Sequence, residues 1–331
     1  MRSARGFTLV ELMISMMLGL VVIGGALGVI LSNRQSYRTN EGLSQVQESA
    51  RTAFELLARD VRQAGVTGCD SNGRVANVVQ TDPSLPVSWW GSWFGIQGYA
   101  GTQTDPAVGF GTSGSSNRIN GTDSLQLQGL EGTGISIARH RPVDAQFDLY
   151  ASTTAIATGD ILMVCDFDHA AIFKVSQYTS SGTVVQHVAG GGYPRNCTTG
   201  LGYPTDCTTP NPYTFPANSQ LARVASVDWY VGDNQRAAQG EPGRSLFRRR
   251  MAAAPEEIVA GVTNLRITYR EAGRTDFRAA DVVGTWANVN AVMIELTLQS
   301  ADQRVSSDAT VNTGRIERVF TNIVTLRNRV P

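Results

Sequence analysis

An uninterrupted apolar run from Phe7 to Leu31 constrains this chain more than any other feature of its sequence. The run is long enough to cross a bilayer as a helix, which needs roughly 20 apolar residues. It contains one charged side chain, Glu11. A charge at the centre of a membrane helix costs about 2.5–3.5 kcal/mol, and somewhat less near an end. Glu11 therefore needs a compensating partner and is a candidate functional residue.

Three interpretations of this N-terminus compete. A secretory signal peptide would use Arg2 and Arg5 as its basic region and the Ala26-Leu27-Gly28 stretch as its cut. The apolar run is too long for such a signal, whose core is 7–15 residues. A generic signal anchor with its arginines in the cytoplasm explains the span but neither Gly6 nor Glu11. The third interpretation accounts for both of these residues.

The string Gly6-Phe7-Thr8-Leu9-Val10-Glu11 resembles the class III signal of type IV pilins and type II secretion pseudopilins. The resemblance implies that a prepilin peptidase cuts between Gly6 and Phe7 on the cytoplasmic face. It also implies that Phe7 becomes the N-methylated first residue of the mature chain. Glu11 then matches the family's assembly glutamate, the fifth residue after the cut.

A carboxylate at Glu11 fits the way such subunits assemble. Cleavage would leave a cationic amine on Phe7, and in a packed filament Glu11 of one subunit can meet the amine of a neighbour. An ion pair in a low dielectric is far stronger than one in water. Its role need not be net stability, because a buried pair can instead fix the register between subunits.

The composition excludes some classes of function. Charged residues make up 17% of the 331 residues, and the formal net charge is zero. Removal of Arg2 and Arg5 with the leader would leave 26 basic against 28 acidic side chains. Without a basic surplus, we expect no nucleic-acid binding.

The four cysteines predict disulfides rather than a metal site. An even number of cysteines beyond a membrane anchor suits an oxidising compartment, and four cysteines allow three pairings. A turn-prone loop separates Cys197 from Cys207, which favours a local disulfide and leaves Cys69 to pair with Cys165. The alternative, a zinc site, lacks a CxxC motif and clustered histidines, so we expect no metal.

A helical pattern continues beyond the apolar run. Apolar residues recur at spacings of three and four, which predicts an amphipathic helix to about Ala64 with Gly65 as its C-cap. The predicted organisation is a leader at 1–6, a transmembrane half at 7–31 and an amphipathic half at 32–64, followed by a head at 65–331. The residues of the apolar stripe are Leu43, Val46, Ala50, Phe54, Leu57, Val61 and Ala64.

The head reads as a β-rich domain with long loops at 66–120 and 189–219. Alternating apolar and polar residues predict antiparallel strands with one solvated face each. Strands are predicted to begin near residues 123, 134, 160, 171, 183, 222, 245, 262, 291 and 316.

An aromatic cluster, Trp89-Trp90-Gly91-Ser92-Trp93-Phe94, lies in the first of these loops. Exposed aromatic residues dominate many binding surfaces, so the cluster is a candidate recognition patch. Large aromatic side chains are more often buried, and we therefore favour a local core or a covered sheet edge.

No arrangement in the sequence predicts catalysis. The one compact polar cluster, Asp166-Phe167-Asp168-His169, reads as a solvated turn, because a catalytic or metal site draws residues from several elements. The Arg248-Arg249-Arg250 run reads as a strand of mixed exposure rather than a grip for an acidic partner. Nucleophile-elbow, phosphate-loop and zincin motifs do not occur. We expect no enzyme activity and no cofactor.

The C-terminal segments 256–269 and 318–329 resemble the closing strands of the PilW minor pilins, which are related in fold to the J-type minor pseudopilins of type II secretion. The resemblance implies an α+β fold, with a long N-terminal transmembrane and amphipathic helix packed on a mostly antiparallel β-sheet domain of one or two sheets.

That resemblance also implies a function, a minor pilin that primes type IV pilus assembly and lies at or near the tip, supporting motility and adhesion. Expected partners are other minor pilins, the major pilin, the inner-membrane assembly platform and the prepilin peptidase. The expected location is the inner membrane with the head in the periplasm, and then the pilus at the cell surface. Alternatives are a J-type pseudopilin, a pilus-tip adhesin or DNA-binding pilin, and an enzyme tethered by a signal anchor.

Overall fold

The structure, a computed structural model, describes residues 8–69, 74–84, 91–111, 114–251, 253–303, 305–306, 312–326 and 329. One long helix is followed by a head built almost entirely of strands. The elements in chain order are α1 (Leu9–Gln63), β1 (Val75–Asn77), β2 (Val79–Gln80), β3 (Ile96–Tyr99), β4 (Ser124–Arg141), β5 (Gln146–Leu149), β6 (Ile161–Cys165), β7 (Ala170–Lys174), β8 (Val184–Gln186), β9 (Arg195–Asn196), β10 (Gln220–Asp233), β11 (Arg244–Arg250), β12 (Glu256–Ala260), β13 (Val262–Glu271), β14 (Arg278–Ala279), β15 (Val289–Gln299) and β16 (Glu317–Thr325). Short 3-10 helices lie at Pro142–Asp144, Ala237–Gln239, Ala280–Val282, Trp286–Asn288 and Asn312–Gly314.

α1 has an exposed first half and a half-buried second half. The stretch from Leu9 to Asn40 projects from the head, and nearly all of its side chains are exposed. From Gly42 onward, one stripe of the helix is buried, as the spacing of apolar residues predicts. The stripe includes several small residues, which let the helix approach the strands closely. Its buried members are Gly42, Val46, Ala50, Ala53, Leu57, Ala58, Asp60 and Val61.

The head meets α1 first at the Val305 carbonyl. This oxygen accepts hydrogen bonds from Gln35 Nε2 at 3.3 Å and from Thr39 Oγ1 at 2.7 Å. Gly42 lies one turn further along, and a Cβ there would come within 3.0 Å of Val305 Cγ1. The missing side chain at Gly42 is therefore what allows the two segments to pack.

Two sheets and a short two-stranded ribbon contain the described strands of the head. The smaller sheet has the order β14-β13-β15-β16, with every pair antiparallel. The larger follows the path β1-β7-β6-β10-β4-β5-β8, with β3, β11 and β12 attached, and β2 and β9 form a separate ribbon. Within the described ladders, only β1 and β7 pair in parallel. The prediction of a long helix packed on a mostly antiparallel β domain is confirmed.

The head contains two large hydrophobic cores. The first core lies between α1, the inner face of the smaller sheet and one end of the larger sheet, and includes Leu57, Trp229 and Ile294. The second core, around Phe147 and Phe173, is built from strands and loops, and none of its described residues comes from α1. Strands β4 and β10 run through both cores, because Leu125 and Trp229 lie in the first while Ile137 and Leu221 lie in the second.

α1 ends one residue before the position expected from the sequence. Its C-cap is Ala64, and Gly65 follows with φ of +71°, a left-handed conformation that glycine adopts without steric cost. The Gly65 N–H donates to the Gln128 carbonyl at 2.7 Å, which turns the chain onto β4. Gly65 also lies against Gly95, where an added Cβ would come within 2.7 Å of the Gly65 Cα.

Several strands were not predicted. The predicted loop at 66–120 contains β1, β2 and β3, and the loop at 189–219 contains β9. Each of these strands is four residues or shorter, so alternation of apolar and polar residues is too brief to identify them. The two separate strands predicted near residues 123 and 134 are one continuous strand, β4.

Both predicted disulfides are present. Cys69 pairs with Cys165 across a sequence separation of 96 residues, and Cys197 pairs with Cys207 across 10. The first joins the segment that follows α1 to the end of β6. The second closes a local loop beside the second core.

We expect the long-range disulfide to contribute more stability than the local one. In the chain-entropy model, closing the longer loop removes more freedom from the unfolded chain, by about 2 kcal/mol. Thermal unfolding of the C69S/C165S and C197S/C207S variants measures this difference. If removal of the Cys197–Cys207 disulfide cost more stability than removal of Cys69–Cys165, contacts in the folded state rather than chain entropy would determine the contribution of each disulfide.

Candidate functional site

The first turn of α1 is closed by a reciprocal cap between Thr8 and Glu11. The Thr8 backbone N–H and hydroxyl both donate to Glu11 Oε2, at 3.2 and 2.9 Å. The Glu11 N–H donates in return to Thr8 Oγ1 at 3.3 Å. This capping box satisfies backbone N–H groups that begin a helix without intrahelical partners. The side chain of Glu11 therefore already has polar partners within its own chain.

The predicted processing site lies outside the described residues. Gly6 and Phe7, and with them the cut and the N-methylation, have no structural counterpart here. Thr8 and Glu11 are exposed, so the Glu11 carboxylate is open to a second partner from outside the chain. Its role as a register mark remains a prediction.

The exposed half of α1 has membrane dimensions. From Leu9 to Leu31 the helix rises about 33 Å, close to the roughly 30 Å of a bilayer's hydrocarbon core. Large apolar side chains face solvent on every side of this segment, with Leu9, Met17 and Leu20 each more than 70% exposed. The helix is long and apolar enough to cross a membrane, and none of its most apolar window is buried against the head.

The other end of α1 is fixed to the larger sheet through Asp60. Trp229 Nε1 donates to Asp60 Oδ2 at 2.9 Å, and Arg248 Nη2 donates to Oδ1 at 2.7 Å. Both side chains of the ion pair are largely buried, with exposed fractions of 7% for Asp60 and 12% for Arg248. Burial raises the pKa of Asp60, and the charge of Arg248 opposes that rise.

The arginine run thus has a structural role at its first residue. Arg248 faces Asp60, Arg249 Nη1 donates to the Ala107 carbonyl at 3.0 Å, and Arg250 lies 3.8 Å from Glu131. The three residues alternate across β11, and their exposure is mixed. The sequence interpretation of this run as a strand agrees with the structure.

The Asp166–His169 cluster forms a turn, as predicted, but only part of it is solvated: Phe167 is 79% exposed, whereas Asp166 and His169 are buried. Asp166 Oδ1 accepts from the N–H groups of Asp168 and His169, and Oδ2 accepts from the Tyr213 hydroxyl at 2.8 Å. Asp166 and His169 are buried because the loop carrying Tyr213 folds over them. No group of three or more potential metal ligands occurs in the described part of the chain.

Part of the aromatic cluster packs into the head. Trp93 is half-buried against a cluster that contains Cys69 and Cys165. The Phe94 N–H donates to Gln128 Oε1 at 2.8 Å, which ties the segment to β4. Trp89 and Trp90 lie outside the described residues. The described part of the cluster thus covers the sheet, as the sequence analysis favours.

The sequence analysis missed a buried histidine pair in the second core. His140 and His187 are scattered in sequence, but their Nε2 atoms lie 3.3 Å apart. The Phe215 N–H donates to His140 Nδ1 at 3.2 Å, so the His140 proton is on Nε2 and is donated to His187. The proton of His187 is then on Nδ1, for which the described side chains offer no hydrogen-bond partner. The two histidines are 47 residues apart, and no motif in the sequence around either of them indicates that they form a pair.

Burial lowers the pKa of His140 to about 4 and that of His187 to about 3. Asp228, a buried carboxyl on β10, has a pKa that is raised instead of lowered. Burial and the nearby Asp105 raise the pKa of Asp228 to about 8, while Gln126 donates to it at 3.1 Å. At neutral pH both histidines are therefore uncharged and Asp228 is largely protonated.

Comparison with known proteins supports the sequence analysis at the N-terminus. A family model described as a prokaryotic N-terminal methylation motif matches residues 1–27. The chain therefore carries the N-terminal methylation motif of type IV prepilins. No curated protein matches the chain. A solved type IV-like pilin from Thermus thermophilus aligns over 32% of this chain and 68% of its own, at 17% identity and a TM-score of 0.19, which is too low to support a comparison of the heads.

We expect Arg248→Ala to destabilise the head by about 3–5 kcal/mol, because it leaves Asp60 buried without its cation. The matched control is Arg51→Ala, which breaks the exposed Arg51–Glu55 pair on the same helix. Exposed pairs of this kind contribute little to stability, because solvent screens them. Denaturant unfolding of both variants measures the contrast, and similar losses would contradict the structural role given to Asp60.

We expect stability to fall as the pH decreases from 7 to 5. The lowered pKa values of His140 and His187 mean that the unfolded chain takes up protons below about 6.5 before the folded one does. Asp228, with its raised pKa, opposes this loss, since the folded chain binds its proton first as the pH falls below about 8.

The variant Asp228→Asn removes that opposing contribution and should steepen the acid loss. Each proton bound differently changes the unfolding free energy by up to about 1.4 kcal/mol per pH unit. Urea unfolding at pH 7, 6 and 5 gives both slopes. A shallower dependence for Asp228→Asn than for the unchanged chain would contradict the protonated state assigned to Asp228.

Proposed function

We propose that this chain is a minor pilin of the type IV pilus, similar to the PilW proteins. It is inserted in the inner membrane through α1 with its head in the periplasm. Prepilin peptidase cuts it between Gly6 and Phe7, and Phe7 is then N-methylated. With other minor pilins it primes assembly of the major pilin on the inner-membrane platform, and it is incorporated at or near the tip.

One observation supports this proposal most strongly. The methylation motif is continuous with a single helix whose first half is apolar and exposed and whose second half packs on the head. The motif covers residues 1–27, and α1 runs without interruption from Leu9 to Gln63. A signal anchor alone needs only the apolar half. The buried stripe from Gly42 to Val61 makes the same helix part of the head, so a subunit that leaves the membrane keeps its helix rigidly attached.

The geometry of Glu11 supports a role in assembly. Its two hydrogen bonds from Thr8 converge on Oε2, so Oε1 has no hydrogen bond among the described residues. A cationic amine from a neighbouring subunit can bind at Oε1 while the cap stays closed. Such a pair becomes favourable as subunits pack, because surrounding side chains replace water and lower the local dielectric.

A second candidate from the same class is a J-type minor pseudopilin of type II secretion. The processing motif and the helix suit both. Long insertions and two disulfides in the head favour the pilus. Deletion of the gene distinguishes the two candidates. Loss of piliation and twitching motility would identify a minor pilin, whereas loss of protein secretion would identify a pseudopilin.

A binding role for the head, as a tip adhesin or DNA-binding pilin, has less support. Trp93, the described tryptophan of the aromatic cluster, is half-buried in the head. The chain also has no surplus of basic residues. Unchanged adhesion and DNA uptake after replacing Trp89, Trp90 and Trp93 by Ala would exclude this role for the cluster.

Mass spectrometry of the mature N-terminus tests the proposal directly. We expect a chain that begins at N-methylated Phe7 in membranes from cells with prepilin peptidase, and an uncut chain in cells without it. A mature start near Ala26 would identify a cleaved signal peptide, and a start at Met1 in the presence of the peptidase would leave only a signal anchor.

Replacement of Glu11 extends the same test to assembly. We expect Glu11→Ala to abolish or strongly reduce piliation while membrane insertion and processing continue. The matched control is Glu48→Ala, an exposed carboxylate on the half of α1 that belongs to the head. Normal piliation with Glu11→Ala would support an enzyme or other domain held by a simple anchor.

A further inference from the structure

Arg34, Tyr37 and Arg38 form an exposed group immediately beyond the apolar run of α1. They are the first charged or aromatic side chains after Glu11. All three are exposed, with Tyr37 at 69%. Neither arginine forms a salt bridge within the part of the chain that the structure describes.

Among the described residues of the head, none forms a hydrogen bond or salt bridge with Arg34, Tyr37 or Arg38. Gln35 and Thr39, which bind the Val305 carbonyl, each follow one of the arginines in sequence. One residue corresponds to a rotation of about 100° around a helix axis. Arg34 and Arg38 are spaced by four residues and therefore share a face, which lies about 100° around the helix from the contact with the head.

The position of the group along α1 matches the headgroup layer of a bilayer. Arg34 lies about 4.5 Å along the axis beyond Leu31, and Arg38 about 10 Å beyond it. Headgroups extend roughly 5–7 Å beyond each side of the hydrocarbon core. Because Cα–Cβ bonds tilt toward the N-terminus of a helix, all three side chains lean back toward the apolar segment.

We propose that Arg34, Tyr37 and Arg38 bind the phosphate of an anionic phospholipid on the periplasmic side of the membrane and thereby set the depth of the subunit. Each guanidinium offers paired N–H donors that match phosphate oxygens, and a tyrosine ring suits the boundary between hydrocarbon and headgroup. The inference rests on the proposed membrane insertion of α1.

Removal of the leader makes the lipid contacts of Arg34, Tyr37 and Arg38 more important for holding the subunit in the membrane. Before the cut, Arg2 and Arg5 flank the cytoplasmic end of the span. After the cut, the cytoplasmic end keeps one cation, the amine of Phe7, and the nearest cationic side chains are Arg34 and Arg38 at the other end. The balance of lipid contacts then shifts toward the periplasmic end, the end that leads when a subunit moves outward into a filament.

The test is a lipid titration of the full-length chain in detergent micelles, followed by native mass spectrometry. Phosphatidylglycerol is the probe, with phosphatidylcholine and inorganic phosphate in parallel arms. The test variant is R34Q/R38Q. Its matched control is R59Q/R62Q, which removes two exposed arginines from the head-bound half of the same helix.

We expect R34Q/R38Q to weaken phosphatidylglycerol binding about 25-fold, or about fivefold for each arginine, and the control to change it less than twofold. Inorganic phosphate should not displace the lipid. Equal binding of phosphatidylglycerol by R34Q/R38Q and by the wild-type protein would overturn the proposal. An equal loss of lipid binding in R59Q/R62Q would also overturn it, because it would indicate attraction by overall charge.

Piliation of cells that carry R34Q/R38Q separates lipid from protein as the partner. Unchanged lipid binding together with lost piliation would overturn the proposal and assign these arginines to an acidic surface of a neighbouring subunit. Failure of the unchanged chain to sediment with membranes would instead contradict the proposed insertion of α1, a result independent of the variants.

Discussion

The structure depends on burial of one narrow stripe of α1 between two sheets. Small residues such as Ala50 and Ala53 bring the helix close to the strands, and Leu57 fills the space between them. Full burial of a side chain the size of leucine contributes roughly 1.5–3 kcal/mol. Asp60 orients the helix, because its two carboxylate oxygens accept hydrogen bonds from Trp229 and Arg248 on neighbouring strands. The hydrophobic stripe supplies the stability, and the buried carboxylate fixes how the helix is rotated and how far along the sheet it lies.

This attachment gives α1 two environments in one uninterrupted element. Its first half is apolar on every side, as suits a lipid surrounding, while its second half has a single apolar stripe. Each half carries a carboxylate that is bound by polar groups, Glu11 at the start and Asp60 near the end. Asp60 pairs with Arg248. Among the described residues, Glu11 Oε2 accepts only from the neutral groups of Thr8.

The sequence predicted those features that depend on local pattern or on a short motif. The helix, its buried stripe, the antiparallel strands and the cysteine pairs all follow from residue spacing or from the turn-rich segment between Cys197 and Cys207. The contacts that fix the head are long-range, as between Asp60 and Arg248 or between His140 and His187. No local pattern encodes such contacts, because their partners meet only after the sheets have formed. For the same reason the burial of Asp166 and His169 was not predicted, since the loop that covers them lies more than 30 residues further on.

Two strands give the head a mechanical property. β4 and β10 each run through the first and the second core, so the backbone itself joins the two. Between the cores their ladder is interrupted by a bulge, because Leu221 pairs with Ile135 and Arg223 with Glu131. Gly132 lies in the extra stretch of β4 with a φ of +84°. A force applied to the second core would therefore reach α1 along two covalent chains, and the bulge is where these strands bend most easily.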